Sequence, residues 1–181
     1  MVISIHQPNF IPWYPFFQKI EQSDIFVIMG HCQFEKNNFQ NRFNIKGRWQ
    51  TMSVNKGLEP IVNKKYVNYE KDWNRIKSNL NEYSDILNRI DNYICDRLFD
   101  TNVNIIKQLC YMMNIKTKIV LDYPTSLKST ERLVDLCKHY GATKYLSGPS
   151  GKTYLDMKLF PDNMEVIFQD NQDKKPIFEM L

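Results

Sequence analysis

The chain has 181 residues, 43% of them apolar and 24% charged, which suffices for one sizeable core and is short for several independent domains. Its 24 Lys and Arg against 20 Asp and Glu leave a net charge of +4, too little for the strongly basic footprint of a dedicated nucleic-acid binder, so no nucleic-acid target is predicted. No run approaches the roughly 18–20 consecutive apolar residues of a membrane span, and the N-terminus lacks the basic start and long apolar stretch of a signal peptide. The expectation is a cytoplasmic protein with no membrane insertion.

Taken in chain order, residues 2–5 form a short β-branched run that stops at His6-Gln7-Pro8, where proline removes a ladder donor. An aromatic-rich stretch follows, and its later part is predicted to be a helix with Pro12 or Pro15 in the first turn and Phe16, Phe17 and Ile20 facing the core. Residues 25–29 read as a fully buried strand bounded by Gly30, completing a βαβ unit. Residues 32–47 show no clean period and read as a structured loop with short extended pieces; residues 49–54 read as a strand, and residues 55–65, with Gly57 and Pro60, as a further loop. From Asp72 the spacing of Trp73, Ile76 and Leu80, and then of Ile86, Leu87, Ile90, Tyr93, Ile94 and Leu98, predicts a helical middle segment. A helix over 101–114 carries Val103, Ile106, Leu109, Cys110 and Met113, with Asp100 as its N-cap and its apolar face on the sheet.

Alternation then resumes. Residues 118–121 read as a strand, and Ser129 or Thr130 caps a helix bearing Leu133, Val134, Cys137 and Tyr140 that stops at Gly141. Residues 142–146 read as a strand, 147–151 as a turn, 154–159 as one or two helical turns, and 164–168 as a last strand. The sum is an α/β fold: a mostly parallel sheet of about five strands flanked by helices, in one domain over 1–181.

The four cysteines, Cys32, Cys95, Cys110 and Cys137, are widely spaced, without a CxxC pair or a Cys/His cluster at zinc spacing, so neither a metal nor a disulfide framework is predicted. Cys95, Cys110 and Cys137 fall in helical periodicity and are expected as buried thiols. Cys32 beside His31 raises a nucleophile reading, but neighbours in an extended segment point to opposite faces, which counts against direct pairing.

Ligands of open α/β sheets gather outside the carboxyl ends of the strands. Three polar clusters fall there: His6-Gln7, residues 30–46 and residues 147–151. His6 has the chemistry of a general base and Gln7 offers both donor and acceptor, while each is equally suited to tying a turn together. Asn41, Arg42 and Lys46 suit phosphate or carboxylate recognition, against the plainer reading of a solvated basic loop. The segment Ser147-Gly148-Pro149-Ser150-Gly151-Lys152 lacks P-loop spacing and reads better as a turn leading to Tyr154. Trp13, between prolines, is the aromatic best placed to stack on a ligand.

The string HQPNFIPWYPFFQKIEQSDIFV, then QFEKNNFQNRFNIK and W-x-T-x-x-V, then RLVDLCKHYGATKYLSGPSGKTYLD and VIFQD, resembles the WbqC-like family over nearly all 181 residues. The resemblance carries over to His6, Gln7, Pro8, Trp13, Phe17, Lys19 and Asp24 in the first motif. It covers Gln33, Phe34, Asn41, Arg42 and Lys46 in the second, and Ser147, Gly148 and Tyr154 in the last. Relatives often have acidic residues where this chain has Gly30-His31, and LTVPV where it has QTMSV; they also usually continue past the segment matching Phe168-Gln169-Asp170, so the resemblance implies either a truncation or a short variant.

Members are typically encoded among genes for bacterial surface polysaccharides, which implies action on a nucleotide-linked sugar. The expected reaction is transfer from an acyl or aminoacyl donor to the amine of a nucleotide-linked amino sugar. His6 serves as base, Gln7 and Asp24 orient sugar or imidazole, and Arg42 with Lys46 holds the diphosphate. The alternatives are nucleotidylyl transfer, although His6 has no second histidine two or three residues on, and a non-catalytic module that binds a nucleotide-sugar or a partner.

Overall fold

A computed structural model describes residues 1–170 and 175–181. Its centre is a five-stranded sheet of order β5-β2-β1-β6-β7, in which every pairing is parallel. The strands are β1 (Val2–His6), β2 (Ile25–Ile28), β5 (Lys118–Leu121), β6 (Lys144–Ser147) and β7 (Glu165–Phe168). The remaining pair, β3 (Arg42–Ile45) and β4 (Arg48–Thr51), forms a separate antiparallel hairpin.

Both faces of the sheet are covered, and the period of two decides what each face meets. Phe26 and Ile28 of β2 pack into a core with Phe16, Phe17 and Ile20 of α1 (Tyr14–Glu21) and with Val103, Ile106 and Leu109 of α4 (Leu98–Met112). Ile25 and Val27, one residue out of phase, join Ile3 and Ile5 in a second core against Leu133, Val134, Leu136 and Cys137 of α5 (Ser129–His139). The middle segment supplies α2 (Tyr69–Asn79) and α3 (Ser84–Ile90), whose Trp73, Ile76, Leu87 and Ile90 extend the first core. A short α6 (Gly151–Tyr154) follows β6. No helix among the described residues is long and apolar enough to cross a membrane.

The α/β expectation and each strand of the main sheet hold, with local corrections. Residues 42–45, read as loop, pair with β4, and β4 itself spans Arg48–Thr51 rather than 49–54. Lys46 and Gly47 at the tip have φ of 50° and 78°, the two left-handed positions of a type I′ hairpin turn. The 101–114 helix begins at Leu98, so Asp100 lies inside its first turn and pairs with Arg97 Nε at 3.0 Å instead of capping it. Ser129 and Thr130 make no cap; Lys128 holds that position, and Thr130 Oγ1 accepts the Asp156 N–H at 3.1 Å. Cys110 and Cys137 are buried, but Cys95 sits half-exposed in the loop before α4 because the helical stripe breaks after Tyr93.

Candidate functional site

The chain lays β2 and then β5 on one side of β1, and returns to place β6 and β7 on the other. The reversal falls between β1 and β6, so the loops leaving these two strands diverge and open a crevice at the carboxyl edge of the sheet. A cleft of about 820 Å³ occupies this position. Its walls come from the ends of β1 and β2, from the segment before α5 and from the turn after β6. The volume lies in the range of small-molecule sites, roughly 300–1,000 Å³.

His6 ends β1 and lines the cleft. Its Nδ1 lies 2.9 Å from the Gln7 carbonyl oxygen. A carbonyl only accepts, so the proton sits on Nδ1 and Nε2 keeps its lone pair. Burial, reinforced by the charge of Lys19, pushes the His6 pKa down to about 3, so the ring is neutral at physiological pH. Lys19, on α1, is 4% exposed and donates from Nζ to the Ile5 carbonyl at 3.0 Å. Burial brings its ammonium down to about 7.

The loop after β1 is fixed from below. Gln7 accepts from Gln40 Nε2 at 2.6 Å and donates to Glu35 at 3.4 Å. Asn102, fully buried on α4, donates to both the Pro8 and the Gln40 carbonyls, at 2.9 and 2.7 Å, and accepts from the Tyr66 hydroxyl at 3.2 Å. One side chain thus pins the loop after β1 to the loop after β2.

Asp122, the residue after β5, organises the opposite wall. Its side chain is wholly buried. It accepts from the Gly30 N–H at 2.9 Å, the His31 N–H at 3.1 Å, His31 Nδ1 at 2.8 Å and Arg132 Nη2 at 2.9 Å. The carboxylate accepts from Nδ1 and so fixes the ring of a half-exposed His31 that lines the cleft. Gly30 has no alternative: a Cβ there would run into the Phe99 ring and Val62.

Of the residues singled out from sequence, His6, Gln7, Trp13, Lys19, Gln33, Gly148 and Tyr154 line this cleft. Ser147 is buried under it, donating to the Gly148 carbonyl at 3.1 Å. Four others are placed elsewhere. Asp24 lies at the opposite edge of the sheet, where its Oδ2 accepts the Val2 N–H at 2.7 Å. Val2 and His6 are four residues apart on an extended strand, about 13 Å, beyond reach of the imidazole. Asn41 is buried and donates to the Met52 carbonyl at 2.7 Å. Arg42 lies over the Trp49 ring at 4.1 Å and donates to the Asn37 carbonyl, and Lys46 pairs with Glu82 at 3.0 Å.

Sequence reasoning passed over His31, Lys128 and Arg132, which line the cleft, and Asp122, which orients the His31 ring. Asp122 was within reach of the rule that found His6, since it too directly follows a strand. Cys32 donates its Sγ–H to the Met29 carbonyl at 3.3 Å, and burial raises its pKa to about 11, so a thiolate is disfavoured there. Among the described residues no three or more His, Cys, Asp or Glu side chains are grouped to hold a metal ion.

Trp13 also borders a second groove of about 400 Å³, which runs beside the hairpin. Its ring stacks on Phe39 at 5.8 Å, and Phe39 meets Trp49 at 5.6 Å, so an aromatic ladder separates the two hollows.

Comparison with known proteins adds a family and little chemistry. The sequence model of the WbqC-like protein family matches residues 7–178. An uncharacterized protein of Mycobacterium tuberculosis is 29% identical over 183 residues, covering 88% of this chain and 78% of its own length. No solved structure matches the chain.

Proposed function

The chain belongs to the WbqC-like protein family, and we propose that it is a transferase in bacterial surface-polysaccharide synthesis that adds an acyl or aminoacyl group to the amine of a nucleotide-linked amino sugar. The polysaccharide setting rests on the family resemblance. The chemistry rests on one observation: two imidazoles, His6 held neutral by burial and His31 oriented by Asp122, line one cleft with the buried amine of Lys19.

In this reading the sugar amine attacks the carbonyl carbon of an acyl thioester or ester. The new C–N bond forms as the bond from that carbon to sulfur or oxygen breaks. His31 Nε2 takes the proton that the amine loses and returns it to the departing thiol or alcohol, with Asp122 steadying the transient imidazolium. His6, held neutral, accepts a hydrogen bond from the sugar, and Gln7, Gln33 and Tyr154 offer further polar contacts to its hydroxyls. Trp13 supplies an apolar face for a ring.

The test is calorimetric binding of a panel of nucleotide-linked amino sugars, with free nucleotides and acyl-CoA compounds as controls, followed by a transfer assay on whichever sugar binds. His31→Gln and His6→Asn should retain binding within a few-fold. His31→Gln should lose about 10²–10⁴ in turnover, the range for a general base. Turnover undiminished in His31→Gln would overturn the assignment of the base. Saturable binding of a nucleotide-sugar with no transfer from any acyl donor would favour a binding module.

A further inference from the structure

Arg132 sits one turn into α5 and is 5% exposed. Nη2 is committed to Asp122 and to the Tyr123 carbonyl, and the guanidinium lies 5.0 Å from the Tyr123 ring. Nη1 is buried and has no hydrogen-bond partner among the described residues. Because a buried guanidinium N–H is rarely left without an acceptor, this one marks a place for a group from outside the chain. Arg132 is among the residues that line the cleft.

The rest of that corner has the same character. The 11-residue α5 begins without a side-chain cap, and among the described residues nothing accepts the backbone N–H groups of Ser129 and Thr130. Lys128 and Ser129 also line the cleft. A helix start, an ammonium, a hydroxyl and a spare guanidinium N–H converge, which is the donor set that tetrahedral oxyanions require. Opposing charges are few: Glu131 in the first turn is exposed, Glu35 is tied to Gln7 and Asn38, and Asp122 is saturated by its own donors.

We propose that the N-terminus of α5, with Lys128, Ser129 and Arg132, is a phosphate-binding subsite that holds the phosphoryl groups of the cleft's ligand. It deepens the nucleotide-sugar reading and rests on it, and it moves the diphosphate from Arg42 and Lys46 to the segment between β5 and α5. With phosphate anchored there, the sugar end extends toward His6 and Tyr154 across the same cleft.

The experiment is titration calorimetry with inorganic pyrophosphate and uridine diphosphate on the wild type, Lys128→Ala, Arg132→Lys and Lys144→Gln, each checked for folding by circular dichroism. Lys144 pairs with Glu165 on the amino edge of the sheet, so its substitution removes one positive charge far from the cleft. Both probes should bind the wild type, lose about tenfold or more in Lys128→Ala and Arg132→Lys, and bind Lys144→Gln unchanged. No binding by the wild type at millimolar probe, or equal binding by all four proteins, overturns the subsite. Uridine diphosphate binding more tightly than pyrophosphate assigns the subsite to a nucleotide ligand, and the reverse order assigns it to free phosphates. Variant-sensitive pyrophosphate binding with no sugar transfer would keep the subsite and reject the transferase; full sugar transfer by Lys128→Ala would do the opposite.

Discussion

Lys19 makes the stability of the fold depend on alkali in a direction opposite to that of an ordinary surface lysine. In the unfolded chain its amine binds a proton below 10.5, whereas in the folded protein burial lowers that threshold to about 7. Between these values the unfolded state carries the extra proton, so stability rises with pH at about 1.4 kcal/mol per unit, giving about 4 kcal/mol between pH 7 and pH 10. Below pH 7 both states are protonated and the contribution is flat. The perturbation is Lys19→Met, which keeps the length of the side chain and removes the titration. It also deletes the bond to the Ile5 carbonyl, a loss independent of pH. Urea unfolding of both proteins at pH 6, 7, 8, 9 and 10 isolates Lys19, because other titrating groups cancel in the difference. The wild type should gain on the variant steadily above pH 7 and hold a constant offset below it. A difference that stays level from pH 6 to pH 10 would refute the reasoning and mean that Lys19 keeps its charge with water's help.

Three substitutions probe the scaffold around the cleft. Asp122→Ala leaves the buried Arg132 guanidinium without its carboxylate, so chemical denaturation should show a loss of about 3–5 kcal/mol; a loss under about 1 kcal/mol would mean that the cluster is not what holds this wall. Asn102→Ala strands the Pro8 and Gln40 carbonyls, at about 1–3 kcal/mol for each group left unsatisfied, and hydrogen exchange should quicken in the loops after β1 and β2 ahead of the sheet. Gly30→Ala drives a methyl into Phe99 and should destabilise by about 1–3 kcal/mol. Adding Phe99→Leu should return part of that loss, and strict additivity of the two changes would disprove the clash. In acid, the neutral ring of His6 acts as Lys19 does: the unfolded chain takes up a proton below 6.5 and the folded one only near 3, so His6→Gln should flatten the fall in stability across that window.

Local order was readable where one pattern dominates. The run over residues 25–29 is apolar throughout and the run Lys118–Leu121 has three consecutive apolar residues; the first emerges as a strand one residue shorter, Ile25–Ile28, and the second with its expected bounds. The hairpin was hidden because Phe39 and Phe43 serve different ends: Phe39 stacks outward between two tryptophans while Phe43 faces the core, so no single period survives. Its turn was hidden as well, since Lys-Gly takes the place of the more familiar Asn-Gly. The cleft was readable as three strand ends, and half of its chemistry was not. His31 and Asp122 stand 91 residues apart and meet only because β2 and β5 are neighbours in the sheet, a fact of strand order that no spacing encodes. Arg42 and Lys46 drew attention by crowding, yet crowding on the hairpin commits them to Trp49 and Glu82.

The ladder of Trp13, Phe39 and Trp49 gives the protein an optical property. Trp73 is 4% exposed, its indole N–H held by Asp91 at 2.6 Å, so its emission should stay constant and blue-shifted. Trp13 stands at the mouth of both hollows, where any occupant replaces water against one face of the ring. Of the three tryptophans, Trp73 is the reference, Trp49 borders only the second groove and Trp13 is the reporter, so filling the cleft should register as a change in intrinsic emission without any label.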